Sequence, residues 1–178
     1  MSKQIILQKS KQIDGYIEDL RLSAEEAAFK LNDISSYNGS LEFLNEIKFE
    51  KIGCDPLDRE RPLNFIEQVN QTFTYFASFR ASKFLFKQHQ NLNSLTLNLG
   101  TKSGLDIFSE YDGGIAAEVF AAVNPKNNNK LQKDIEKVSA TKAKHKYVFF
   151  MCPDFEEGLY PDLIGNDVII WSLGNDLF

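Results

Sequence analysis

Two acidic residues stand inside apolar segments in the second half of this 178-residue chain. Asp106 is flanked by leucine and isoleucine, and Glu118 by alanine and valine, so each is expected to lie within a strand. An ionised carboxylate in such a setting costs several kcal/mol unless a cation lies opposite it. Each acid is therefore expected to have a lysine, an arginine or a metal ion beside it.

The sequence between the two acids favours their convergence. Asp112-Gly-Gly114 is typical of a β-hairpin, which would make the two acid-bearing strands neighbours. Both carboxylates could then point to one face near the rim of the sheet. Two carboxylate oxygens from different strands, completed by water and a phosphate oxygen, are a usual site for Mg²⁺. The alternative interpretation is that Asp106 and Glu118 are exposed at an edge or paired with lysines of the helix that follows.

The charge is distributed unevenly along the chain. The net charge is −5, yet residues 126–146 carry seven lysines and two acids. Overall acidity argues against binding nucleic acid through a field over the whole surface. The lysine patch at 126–146 could nevertheless contact phosphates at one face, or it could be a solvated basic helix and loop. Residues 152–178 hold six acids and no base, which would suit a basic protein partner.

The first half of the chain has the spacing of helices. Ile13, Ile17 and Leu20 share one helical face, and Ser23 with Glu26 fits a capping box that would begin a new helix. Ser40 could cap another short helix. Pro62 suits the first turn of a long helix that would run to about Lys87, with an aromatic stripe typical of core packing.

The second half predicts a sheet. Alternation at 95–99 and 105–107 indicates strands, and the apolar runs at 115–123, 146–151 and 167–173 indicate buried ones. Leu131, Ile135 and Val138 form the apolar side of a helix, with Lys130, Lys133 and Lys137 on another face. The order is typical of an α/β (α+β) domain with a central mixed sheet and flanking helices.

We expect one domain, 1–178, made of an N-terminal helical segment (1–50) and a sheet-containing core (62–178). The helical segment could form a dimer or partner surface. Neither a signal peptide nor an apolar stretch long enough to span a membrane is recognised, so a cytoplasmic location is expected. Only two histidines and two distant cysteines occur, which argues against a His-rich metal site or a nucleophilic triad.

The arrangement over residues 62–151 resembles the PD-(D/E)xK nuclease superfamily, which has the restriction-endonuclease-like fold. The matching parts are Gly104-Leu-Asp-Ile107, Ala117-Glu-Val-Phe120, the lysine-bearing helix and the strand beginning at Lys146. The resemblance implies that Asp106 and Glu118 bind Mg²⁺, with Mn²⁺ as a substitute. It also implies that a water molecule made acidic by the metal attacks phosphorus in DNA or RNA.

The chain departs from the family pattern at one position. The lysine expected two residues after Glu118 is Phe120. The resemblance implies that the missing cation could come from the following helix, where Lys130 and Lys133 are the candidates. Two functions remain open: a metal-dependent endonuclease, or a non-catalytic binding protein on the same scaffold, such as an immunity protein that neutralises a nuclease toxin.

Overall fold

The computed structural model describes residues 3–35, 39–100, 103–161 and 167–176, which contain four α-helices and nine strands. The helices are α1 (Gln12–Ser35), α2 (Ser40–Phe49), α3 (Phe65–Gln88) and α4 (Lys130–Ser139). The strands are β1 (Gln4–Leu7), β2 (Gly53–Asp55), β3 (Asp58–Leu63), β4 (Leu95–Asn98), β5 (Ile107–Ser109), β6 (Ile115–Ala121), β7 (His145–Met151), β8 (Glu157–Leu159) and β9 (Ile169–Leu173). The chain divides into two compact units, residues 14–76 and residues 1–13 with 77–178.

A seven-stranded mixed sheet forms the larger unit, in the order β1-β4-β5-β6-β7-β9-β8. The strands β4, β5 and β6 form an antiparallel meander, whereas β6, β7 and β9 run parallel. A parallel neighbour needs a crossover connection, and α4 supplies it between β6 and β7. The predicted mixed sheet with flanking helices is confirmed.

The face of the sheet beneath α4 is an apolar core. Helix α4 is strongly amphipathic and buries Leu131, Ile135 and Val138. These side chains pack against β6 and β7, where Ala116, Phe120, Val148 and Phe150 are buried. Each fully buried side chain of this size contributes roughly 1.5–3 kcal/mol. The charged face of α4 is thereby fixed with respect to β6.

The opposite face of the sheet is rich in aromatic residues. Phe84, in the part of α3 that belongs to the larger unit, meets Tyr147, Phe149 and Trp171 with ring centroids 4.5–6.2 Å apart. Phe84 of the predicted aromatic stripe therefore packs on the sheet, whereas Phe73 of the same stripe is 38% exposed. Residues 147–151 of the central strand β7 are consequently covered on both faces, which explains their uninterrupted apolar sequence.

The smaller unit contains α1, α2, the first part of α3 and the hairpin of β2 and β3. Gln68, only 2% exposed, joins its elements: it accepts a hydrogen bond from the Cys54 N–H and donates to Ser23. Two expectations are wrong here. Ser23 begins no helix, because α1 continues through it as a buried residue, and Pro62 lies in β3 rather than in the first turn of α3. A two-stranded hairpin tolerates that proline because each strand is an edge.

The N-terminal segment also differs from the prediction. Residues 4–7, which fall within the predicted N-terminal helical segment (1–50), instead form β1 and pair with β4 at the edge of the seven-stranded sheet. The strand β1 has only four residues, and Leu7 is its one buried residue. The alternation of buried and exposed residues is therefore too short to be recognised in the sequence. The helical character of the rest of the segment is confirmed by α1 and α2.

Candidate functional site

The hairpin of β5 and β6 brings Asp106 and Glu118 together. Its register pairs Ile107 with Ala117, so the next pair outward is Asp106 opposite Glu118. The sequence predicted that Asp106 lies within a strand, and this is wrong: Asp106 is the residue immediately before β5. Glu118 is in the middle of β6, and its neighbours on the same face, Ala116 and Phe120, belong to the core under α4.

The turn of this hairpin fixes the register. Asp112 has a positive φ of 45°, and Gly113 and Gly114 have φ of 82° and 100°. Residues with a Cβ rarely adopt the conformation at Gly114, and a Cβ there would lie 3.3 Å from the backbone of Ala143. The two glycines therefore permit the tight connection that places Asp106 across from Glu118.

Each of the two acids is bound to the backbone of the other's strand. The backbone N–H of Asp106 donates to Glu118 Oε1 at 3.2 Å, and the N–H of Val119 donates to Asp106 Oδ2 at 2.9 Å. Glu118 is only 2% exposed. These reciprocal bonds hold both carboxylates in a defined orientation, which a rigid site requires.

Helix α4 supplies two lysines and a third acid. Lys137 Nζ donates to Glu118 Oε2 at 2.7 Å, and Lys130 Nζ donates to Asp134 Oδ1 at 2.6 Å. Asp134 is 3% exposed, and its second oxygen, Oδ2, is buried without a hydrogen-bond partner. Such an atom is uncommon in folded proteins and indicates a place where a proton, water molecule or cation can be accommodated.

Burial raises the pKa of all three carboxyl groups. For Asp106 the hydrogen bond from Val119 and the charge of Lys137 oppose this effect. For Glu118 the negative charge of Asp106 raises the pKa further, while Lys137 lowers it. For Asp134 the opposing influence is Lys130. The three acids and two lysines thus form one electrostatic cluster, which we call the α4 charge cluster: Asp106, Glu118, Lys130, Asp134 and Lys137.

The lysines that the sequence suggested occupy different places. Lys130 belongs to the charge cluster, and its Nζ lies 5.7 Å from the centre of the Phe120 ring. Lys133 is exposed on α4 and makes no ion pair among the described residues. Lys137, not selected as a site residue, contacts Glu118 instead. Relative to Lys130, Asp134 is at i+4 and Lys137 is at i+7. This helical spacing places the three residues on one face of α4.

The lysine patch at 126–146 is partly neutralised within the chain. Four of its seven lysines form ion pairs: Lys130 with Asp134, Lys137 with Glu118, Lys144 with Asp112 and Lys146 with Asp167. The remaining lysines, at positions 126, 133 and 142, are exposed. Phosphate contact at this face would rely on these three and on any lysine that leaves its acid.

The chemistry of the cluster fits a divalent cation that takes oxygen ligands. Mg²⁺ commonly uses only one or two protein carboxylates, keeps several waters and binds substrate phosphates. Asp106 and Glu118 provide such a pair, and the partnerless oxygen of Asp134 lies in the same cluster. Among the described residues, no three His, Cys, Asp or Glu side chains are gathered as a metal-binding group. Two of the acids in the cluster, Glu118 and Asp134, accept hydrogen bonds from Lys137 and Lys130.

Comparisons of the chain with known protein families, with curated proteins and with solved structures find no match. Among the described residues, the helices also include none with the length and apolar character needed to cross a membrane. The geometry and chemistry of the charge cluster are therefore the basis for assigning a function.

Proposed function

We propose that this chain is a divalent-metal-dependent nuclease of the PD-(D/E)xK type, with Asp106 and Glu118 as the metal-binding acids. The observation that carries the proposal is the placement of these two carboxylates on facing positions of an antiparallel pair, each held by the other strand's backbone. The order of elements, α3-β4-β5-β6-α4-β7 with β6 parallel to β7, also supports it. This order and the two acids agree with the family pattern, whereas the strand lysine of that pattern is replaced by Phe120.

Lys137 takes the role of the missing strand lysine in this proposal. Phe120 is 5% exposed and packs with Phe150, so position 120 serves the core rather than the site. Lys137 reaches Glu118 from α4 and is placed to neutralise charge on a phosphate beside the acids. When bound, Mg²⁺ or Mn²⁺ supplies positive charge that acidifies water and makes phosphorus easier to attack.

A cleavage assay tests the proposal directly. Purified protein is incubated with supercoiled plasmid, single-stranded DNA and RNA, first with Mg²⁺ and then with Mn²⁺. We expect cleavage by the wild type and a loss of at least about a hundredfold in Asp106→Ala and Glu118→Ala, since each removes a metal ligand. Glu110→Ala is the matched control because Glu110 is an exposed acid directly after β5.

The same assay has a clear opposing result. If all three nucleic acids remain intact with both metals, the nuclease proposal is wrong. If they are cut and both alanine variants cut equally well, the assigned site is wrong. Melting temperatures of the variants show whether a loss of cleavage comes from unfolding.

A second candidate function is a non-catalytic protein-binding module. Residues 14–76 carry thirteen acids and six bases, and their helices expose Phe29 (77%) and Leu41 (75%). An acidic surface with large exposed apolar side chains suits a basic protein partner, such as a nuclease toxin. Copurification of a basic protein that is lost in Phe29→Ser or Leu41→Ser would favour this function. A monomer that retains no partner at physiological salt would count against it.

A further inference from the structure

The α4 charge cluster is closed by its own lysines. Lys137 donates to Glu118 at 2.7 Å, where a metal would need a free carboxylate oxygen. Lys130 likewise donates to Asp134 at 2.6 Å. In this structure the positive charges that compensate the acids of the cluster are therefore the ammonium groups of its own two lysines.

The charges of the cluster oppose a divalent ion while the lysines remain in place. Three carboxylates and two ammonium groups sum to one negative charge, whereas the three acids alone carry three. Charges in a partly buried site interact more strongly than in water. An added divalent ion would therefore give the closed cluster a net positive charge. If the two lysines moved away, the three carboxylates would instead compensate the charge of the ion.

The two lysine side chains are partly exposed, whereas the acids that they contact are buried. The side chains of Lys137 and Lys130 are 43% and 44% exposed, whereas those of Glu118 and Asp134 are 2% and 4% exposed. The two lysines are seven positions apart on α4, so they lie about 10 Å apart along the helix axis. Exposed ammonium groups on one helix face can exchange a carboxylate for a phosphate with little rearrangement of the backbone.

We propose that the phosphates of a nucleic acid draw Lys137 and Lys130 from Glu118 and Asp134, and that this exchange opens the site to the metal. Asp134, released from Lys130, adds its uncompensated negative charge to the cluster. This inference rests on the proposed nuclease function and adds its regulation: metal and nucleic acid bind cooperatively. Metal alone is bound weakly because the lysines compete for the same oxygens.

Calorimetric titration with Mn²⁺, with and without a short phosphorothioate oligodeoxynucleotide, tests the exchange. In the wild type we expect the oligonucleotide to tighten Mn²⁺ binding at least tenfold. Binding linkage requires Mn²⁺ to tighten oligonucleotide binding by the same factor. In Lys137→Met we expect Mn²⁺ alone to bind about three- to tenfold more tightly, with a smaller gain from the oligonucleotide.

Lys133→Met is the matched control, since Lys133 lies on the same helix without an ion pair among the described residues. It should weaken oligonucleotide binding but leave the affinity for Mn²⁺ alone unchanged. If Lys137→Met does not fold, Lys130→Met and the reciprocity measured on the wild type still decide the question.

The outcomes separate this inference from the proposed function. Absence of Mn²⁺ binding in every variant, with or without oligonucleotide, would refute the nuclease function and the exchange together. Mn²⁺ binding that requires Asp106 and Glu118, but is unaffected by the oligonucleotide and by Lys137→Met, would overturn the exchange alone and leave the nuclease proposal standing.

Discussion

Phe120→Lys restores the residue that the PD-(D/E)xK pattern expects, yet we predict that it weakens the protein. Phe120 is 5% exposed and belongs to the core formed with Leu131 and Ile135 of α4. Losing a buried phenylalanine ring costs about 3–5 kcal/mol. The lysine stem recovers part of that packing, but its buried ammonium adds a cost of several kcal/mol that nearby Glu118 offsets only in part.

We therefore expect Phe120→Lys to lower the free energy of unfolding by about 3–5 kcal/mol. The apolar control Phe120→Leu should lose only about 1–1.5 kcal/mol. Urea denaturation followed by the fluorescence of Trp171, the single tryptophan, measures both. A lysine variant within about 1 kcal/mol of the wild type that also cleaves faster would show that position 120 belongs to the site. The assignment of its role to Lys137 would then be refuted.

Three further predictions concern other parts of the chain. Burial and the nearby His145 lower the pKa of His89 from its usual 6.5, so the unfolded state binds the proton more readily. Stability should thus fall as pH drops below 6.5, and His89→Phe should reduce that fall in urea midpoints measured across pH. Gly114→Ala should cost about 1–3 kcal/mol, because φ is 100° there, whereas Gly15→Ala, with open space, should not destabilise α1. Gln68→Leu should cost about 1–3 kcal/mol in thermal or chemical unfolding, because it leaves the partly buried N–H of Cys54 and the buried hydroxyl of Ser23 without their Gln68 partner. An unchanged midpoint would contradict this.

Much of the sheet could be predicted from the sequence. The apolar run of β6 and the Asp112-Gly-Gly114 turn indicated a hairpin, and that hairpin determines which residue faces Glu118. Short elements could not be found in this way. The strand β2 has three residues and β3 carries four polar residues before Pro62, so neither has enough alternation to be recognised.

The charge cluster was predictable only in part. Two acids among apolar neighbours indicated the site, because a buried charge requires a partner, although Asp106 lies just before β5 rather than within it. Which lysine provides that partner depends on the rotation of α4 about its axis. Packing of Leu131, Ile135 and Val138 sets that rotation, and it directs Lys137 rather than Lys133 to Glu118. If α4 were rotated by one residue about its axis, a different lysine would contact Glu118. The spacing of the lysines in the sequence therefore does not predict which of them forms this ion pair.

The central claim is that Asp106 and Glu118 share a cation when nucleic acid is present. The most direct measurement is anomalous diffraction from crystals grown with Mn²⁺ and the phosphorothioate oligodeoxynucleotide. We predict an anomalous peak about 2 Å from an oxygen of each carboxylate, with Lys137 moved from Glu118 to a phosphate. Ordered oligonucleotide on α4 with no peak at these acids, and with Lys137 still bonded to Glu118, would contradict the account.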